Sequence, residues 1–222
     1  MKLIASAVLS LLALLPIAAQ APVPVGSEPR HHLKFENQYV RVFDVQVPSG
    51  DTTLFHIHAN DYLFVSIGDA NLKAEVLGGK PGDLIVKDGD CRYSKAPITH
   101  RVTNVGKDLF RNITIEVLKS PGIAADPQAK DIPGHTLVLD NDLVHVERVV
   151  IQPGGSIPTH THSRSGLGVA VSAAEIQLES PAQSPRTVQF KPGDFQWTDG
   201  PQTHSMKNTG KTRFEAVHIE WK

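Results

Sequence analysis

GDTTLFHIHAND, residues 50–61, and GGSIPTHTHSRS, residues 154–165, are one pattern written twice. Each opens on a glycine and reaches a His-x-His pair six residues later, His56 and His58 in the first, His160 and His162 in the second. The offset is 104 residues, and it extends outward without a gap. Residues 37–118 align with residues 141–222, with 24 identities in 82 positions by direct count. A third histidine, His100, falls on His204 under the same shift. So long a period is that of a duplicated domain, not of a solenoid.

The segments around these histidines read as strands. VRVFDVQV (40–47) alternates with period two and is rich in valine, and its copy is VHVERVVI (144–151). YLFVSI, LKAEVL, DLIVK, HRVTNV and NITIEVL follow in the first half, each short and separated by Gly, Pro, Asp or Asn. Strands spaced about ten residues apart are the signature of an all-β sandwich or barrel. No amphipathic helix of three turns is present. The punctuation repeats as well: Gly50 with Gly154, Gly89-Asp90 with Gly193-Asp194, Asn104 with Asn208, all read as turn chemistry.

Residues i and i+2 of a strand share a face, so His56 and His58 present two rings together, as do His160 and His162. The third histidine follows 42 residues later in both copies and arrives from another strand. A barrel brings all three inward. That is the donor set of a transition-metal site with open positions rather than a closed structural one. A lone histidine in a strand is ordinarily a solvated polar residue. Here all six survive while most other positions of the two copies have diverged, which favours ligation.

The rest of the chain sets bounds. A net charge of −1 and a pI near 6.8, with no basic run, argue against nucleic acid or an acidic membrane surface as partner. Residues 1–21 have the layout of a secretory signal peptide: Met1-Lys2, an apolar run Leu3–Ala19 broken by Pro16, then small residues. The expectation is a periplasmic or secreted protein that is not membrane-bound after cleavage. Residues 22–36 read as a linker or edge segment, in which His31-His32 are solvated polar residues. Residues 119–140, with Pro121, Pro127 and Pro133, read as an interdomain linker. The single cysteine, Cys91, excludes an internal disulfide and aligns with Phe195, which marks it as a small core residue. His145 and His218 have no counterpart histidine and read as surface or polar-face residues. Glu116 and Glu220 match on the last strand of each copy and read as structural hydrogen-bond or ion-pair partners.

Gly50-x5-His56-x-His58 with His100-x3-Asn104, and Gly154-x5-His160-x-His162 with His204-x3-Asn208, resemble the two sequence motifs of the cupin superfamily. The resemblance covers both repeats, 37–118 and 141–222. It implies two tandem double-stranded β-helix, or jelly-roll, barrels, at least one of them with a divalent transition metal (Fe, Mn, Ni, Cu or Zn) on its three histidines, and homodimers joined at sheet edges. The family motif carries a glutamate shortly after the second histidine as a fourth ligand. Asp61 is the nearest carboxylate in the first copy and the candidate fourth ligand there. The second copy has Ser165-Gly166, which implies a three-histidine site. Cupins perform many reactions, so fold and metal do not specify one. The leading expectation is a dioxygenase-like enzyme acting on a small oxygenated organic molecule, with Tyr62 as the catalytic candidate that donates a hydrogen bond. The competing expectation is a non-catalytic module that binds a small ligand or uses metal to hold its barrel.

Overall fold

The computed structural model describes residues 20–122, 132–181 and 183–222. The apolar leader Leu3–Ala19 and residues 123–131 of the expected linker lie outside the described residues.

The first repeat contributes ten strands: β1 (Val23–Pro24), β2 (His31–Glu36), β3 (Val40–Val47), β4 (His56–His58), β5 (Tyr62–Ile67), β6 (Ala70–Val76), β7 (Gly82–Val86), β8 (Cys91–Ser94), β9 (Ile98–Asn104) and β10 (Phe110–Val117). The second contributes β11 (His135–Asp140), β12 (Val144–Ile151), β13 (Ser156–His162), β14 (Gly166–Ala170), β15 (Ala174–Ser180), β16 (Gln183–Phe190), β17 (Phe195–Thr198), β18 (Gln202–Asn208) and β19 (Phe214–Trp221). Each repeat folds into two sheets. In the first the orders are β2-β3-β10-β5-β8 and β1-β4-β9-β6-β7. In the second they are β11-β12-β19-β14-β17 and β13-β18-β15-β16. Apart from β1, every strand has its partner at the same place in the other repeat. This is the all-β, double jelly-roll architecture that the sequence predicts.

The period-two pattern explains how the central strands serve two cores at once. On β10, Ile113, Ile115 and Val117 face one way, and Asn112, Thr114 and Glu116 face the other, all buried. The apolar set meets its counterpart on β19 (Val217, Ile219, Trp221) in a cluster that spans both repeats and also takes in Val42, Leu63, Val146 and Leu167. That shared cluster holds 15 buried residues, against 7 and 8 in the barrel interiors, so the principal apolar core lies between the repeats rather than inside either. The barrel interiors can therefore remain polar where the histidines need it.

Two arginines close the interface, from positions that do not correspond. Arg111 on β10 pairs with Asp44 at 2.9 Å and donates to Pro192 O of the other repeat at 2.9 Å. Arg148 on β12 pairs with Glu215 and donates to Gly89 O at 2.8 Å. Asp44 aligns with Arg148 and Arg111 with Glu215, so the ion pair is kept with its charges exchanged. A Cβ on Gly193 would lie 2.6 Å from the Arg111 guanidinium, and one on Gly89 3.1 Å from that of Arg148. Both glycines also have positive φ, 85° at Gly193 and 75° at Gly89. They serve the turn and the close approach together.

Two boundaries differ from the sequence reading. His31–Glu36 is an edge strand paired with β3, so the segment 22–36 is part of the first barrel. His135–Asp140 pairs with β12 in the same way, so the end of the expected linker is a strand of the second. The sequence hides both because an edge strand needs only one buried face; Leu33, Leu137 and Val138 are exposed.

Candidate metal centres

Strand pairing delivers the predicted histidines to one point in each barrel. His56 on β4 is directly opposite His100 on β9, and His160 on β13 is opposite His204 on β18. In the first barrel the ring centroids are 4.5 Å apart for His56–His100, 5.1 Å for His56–His58 and 5.3 Å for His58–His100. In the second the same three separations are 4.5, 4.8 and 5.4 Å.

A fourth histidine joins each cluster from the opposite sheet. His31, on β2, has its ring 4.5 Å from His56, and His135, on β11, is 5.5 Å from His160. Ligand atoms of His31, His56 and His58 lie within 4.8 Å of one another, as do those of His135, His160 and His162. His31 is not a solvated polar residue: it is only 9% exposed. The signal was in the sequence. His31 and His135 are themselves 104 residues apart, six positions before the aligned repeat was taken to begin.

The surroundings fix which nitrogen of each ring is free. His56 Nδ1 lies 2.9 Å from Leu54 O, and His160 Nδ1 2.8 Å from Pro158 O. A carbonyl only accepts, so Nδ1 carries the proton and Nε2 the lone pair. His58 Nδ1 faces Glu116 at 3.3 Å, His162 Nδ1 faces Glu220 at 2.8 Å, and His31 Nδ1 faces Glu28 at 2.7 Å. Carboxylates and carbonyls behind imidazoles are the usual support of metal-ligating histidines. The matched glutamates are thus hydrogen-bond partners, as expected. Glu28 has Ile132 as its counterpart, and His135 Nδ1 has only Pro133 O, at 3.4 Å.

The free nitrogens fit a cation. His56 Nε2 and His100 Nε2 are buried with no hydrogen-bond partner. His160 Nε2 and His162 Nε2 face each other at 3.1 Å. Orphaned buried nitrogens and opposed lone pairs cost free energy unless something positive sits between them.

Burial disfavours the charged form of His56, His58, His100, His135, His160 and His204, as ligation requires. Burial, then the neighbouring His31 and His100, push His56 down to about 2. Burial, then His58 and His31, push His100 down to about 3. His204 is down to about 3, from burial and then His160, His162 and His135. Burial also lowers His58, His135 and His160. Behind them, burial raises the Glu28 carboxyl, but the hydrogen bond and charge of His31 with the amides of Arg30 and Leu54 outweigh it and hold Glu28 below its ordinary value.

Asp61 is not among the converging side chains. Tyr93 Oη donates to it at 2.5 Å and Ala96 N at 2.7 Å, so its carboxylate ties β5 to the segment after β8. In its stead His31, from another strand, stands with His56 and His58. Tyr62 does reach the site. Its ring stacks on His58 at 3.9 Å with 17° between planes. Burial raises its phenol above the ordinary value, a hydrogen bond with Ser94 opposing, so at neutral pH it is a donor. Of the two readings of His218, the polar face holds and the surface does not: its ring is 4.2 Å from His162 inside the second barrel. His145 is at the surface side as expected, bonded to Asp140 at 2.9 Å. Cys91 packs on the shared core, where burial pushes its thiol up to about 12, so it is inert.

In the first barrel His31, His56, His58, His100 and Tyr62 line about 430 Å³, walled by Val45, Phe64 and Leu72 with Lys80 and Arg92 also lining it. The second barrel has about 120 Å³ around His135, His162, His204 and His218, and about 410 Å³ more is lined by Leu178, Arg186, Gln202 and His204.

No protein-family model and no curated protein matches the sequence. Among solved structures the chain is similar to AerE from Microcystis aeruginosa, with a TM-score of 0.66, 13% identity, and 90% of this chain and 98% of that one covered. It is similar to a cupin 2 conserved barrel domain protein from Leptotrichia buccalis, with a TM-score of 0.56, 12% identity, and 86% and 88% covered. It is also similar to the salicylate 1,2-dioxygenase of Pseudaminobacter salicylatoxidans, with a TM-score of 0.61, 12% identity, and 89% and 77% covered. Another structure of that dioxygenase is an adduct with gentisate. The chain shares the fold of these proteins, two tandem barrels of the cupin type.

Proposed function

We propose that the chain is a metal-dependent, dioxygenase-like enzyme whose first barrel takes a small oxygenated organic substrate. The observation that carries this is the first cavity. It combines a buried, neutral histidine cluster with orphaned nitrogens and about 430 Å³ of largely apolar space, within the range of small-molecule sites. A divalent ion held there supplies Lewis-acid chemistry and, if redox-active, electron transfer.

Neutral imidazoles leave such an ion its full charge of two, which favours an anionic chelating substrate such as a catecholate, enolate or hydroxy-acid. Lys80 and Arg92 add positive charge to the cavity lining. Tyr62, protonated and stacked on His58, holds a proton beside the ligand cluster. The apolar walls exclude water from the reacting part of the substrate. The fold shared with a salicylate dioxygenase agrees with this reading but does not carry it. Export to the periplasm or beyond belongs to the same proposal and rests on the leader.

The test is oxygen uptake by chain loaded with Fe²⁺ or Mn²⁺, screened against hydroxylated aromatic carboxylates, catechols and 1,3-diketones. Turnover that disappears in a folded His58→Ala variant supports the reading. The competing reading is a non-catalytic module that binds a small ligand or uses metal to hold its barrel. For the whole chain it predicts no turnover with any of these, and a thermal midpoint that drops on metal removal.

A further inference from the structure

Position by position, the barrels differ most instructively beside the second ligand of the His-x-His pair. In the first barrel Tyr62 stacks on His58, and Thr114 stands on β10. In the second, Gly166 replaces Tyr62 and His218 replaces Thr114. With His218 and the Ile219 carbonyl where they are, position 166 has no room for a side chain. A Cβ on Gly166 would lie 2.9 Å from His218 Nε2 and 3.4 Å from its Cε1. The space beside the second ligand ring is therefore filled in both barrels, by a phenol from β5 in one and an imidazole from β19 in the other. His218 ends with its ring 4.2 Å from His162 and its Nδ1 buried without a hydrogen-bond partner.

His162, His218 and Glu220 each place one ligand atom within 4.8 Å of the other two. This set is distinct from His135, His160 and His162 and shares only His162 with it. The first barrel has no equivalent, because its central residue is Thr114. The arginine that pairs with the matched glutamate is replaced by a histidine in the second barrel. Arg41 pairs with Glu116 at 2.5 Å, whereas its counterpart His145 turns to Asp140. Two nitrogens and one carboxylate are donors that suit Zn²⁺, Co²⁺ or Fe²⁺.

We propose that the second barrel has an additional divalent-cation position, built from His162, His218 and Glu220 and adjacent to the four-histidine pocket. His162 serves both positions, Nε2 toward His160 and Nδ1 toward Glu220. Occupation of the added position breaks the His162 Nδ1–H bond that now points at Glu220. The proton leaves to the buffer and the nitrogen keeps the electron pair for the ion. The carboxylate of Glu220 offsets one of the added charges. The inference goes beyond the proposed activity and rests only on that reading's metal-binding part.

The test is titration of the metal-free full chain with Co²⁺, followed by visible absorption and by metal content after desalting, for wild type, His218→Thr and His160→Ala. His218→Thr restores the residue of the first barrel, and His218→Gln keeps the volume should the threonine variant fail to fold. The expected result is three equivalents for wild type, two for either His218 variant, and two for His160→Ala. Equal stoichiometry in wild type and a folded His218 variant overturns the proposal while leaving the four-histidine pockets intact. Loss of all second-barrel metal in the His218 variants, with the fold retained, also overturns it, because His218 would then ligate the same ion as His160. No binding by wild type overturns both readings at once.

Discussion

His160 Nε2 and His162 Nε2 face each other at 3.1 Å, with the Nδ1 of each ring already bonded to an oxygen. Two neutral imidazoles arranged so turn lone pair toward lone pair. Strand geometry forces the approach, since the residues are i and i+2 on β13, and the oxygens behind prevent either ring from switching its proton without losing a hydrogen bond. A cation resolves the conflict. The same logic applies in the first barrel, where His56 Nε2 and His100 Nε2 are buried and have no hydrogen-bond partner among the described residues.

Support from behind the ligands is expected to be measurable. Glu28→Gln weakens the charge behind His31 and should lower metal affinity of the first barrel by about 10- to 100-fold. The second barrel, with Ile132 at that position, should be unaffected. Competition with a chelator, read separately in His58→Ala and His162→Ala backgrounds, checks it; equal weakening of both barrels contradicts it.

Asp61→Asn separates clasp from ligand. The carboxylate bonds Tyr93 and Ala96 rather than facing the histidines. Metal content should therefore stay at the wild-type value, while the thermal midpoint falls with the loss of a buried charged hydrogen bond of about 1–3 kcal/mol. A missing equivalent of metal would restore Asp61 as a ligand.

Acid should act through the histidines. His56, His100 and His204 have folded values of about 2 to 3, below the ordinary 6.5. The unfolded chain therefore takes up protons that the folded chain refuses. Stability is complete above about pH 6.5 and is lost as pH falls from there toward 3, by about 1.4 kcal/mol per pH unit for each histidine. Urea unfolding of the metal-free chain at pH 7.5 and 5.5 measures it, and a midpoint that does not move is the contrary result.

The shared core makes a mechanical prediction. Leu63, fully buried between the repeats, should cost about 2–5 kcal/mol on replacement by alanine. Because the cluster belongs to both halves, wild type and Leu63→Ala should each unfold in a single transition. Two resolved transitions, with only the first shifted, would mean independent domains.

The duplication made the fold legible: strands, turns and the six histidines all follow from one 104-residue shift. What escaped was what alternation alone cannot report. His31 and His135 lie on edge strands in which Leu33 and Leu137 are exposed, so neither segment shows a clean buried alternation. His218 faces inward on β19, where Val217 and Ile219 meet the other repeat; the period-two reading was available, but which face met which core was not. Asp61 was placed by its distance in sequence from His58, and Tyr93, 32 residues later, claims it. Tertiary partners decided each of these.

The central claim is that each barrel holds a transition metal on its histidine cluster. Metal content per chain of wild type, His56→Ala and His160→Ala, each verified as folded, tests it most directly. The account predicts that each variant loses one equivalent and keeps the rest. A folded wild type that binds no metal, or variants that retain the full complement, would contradict it.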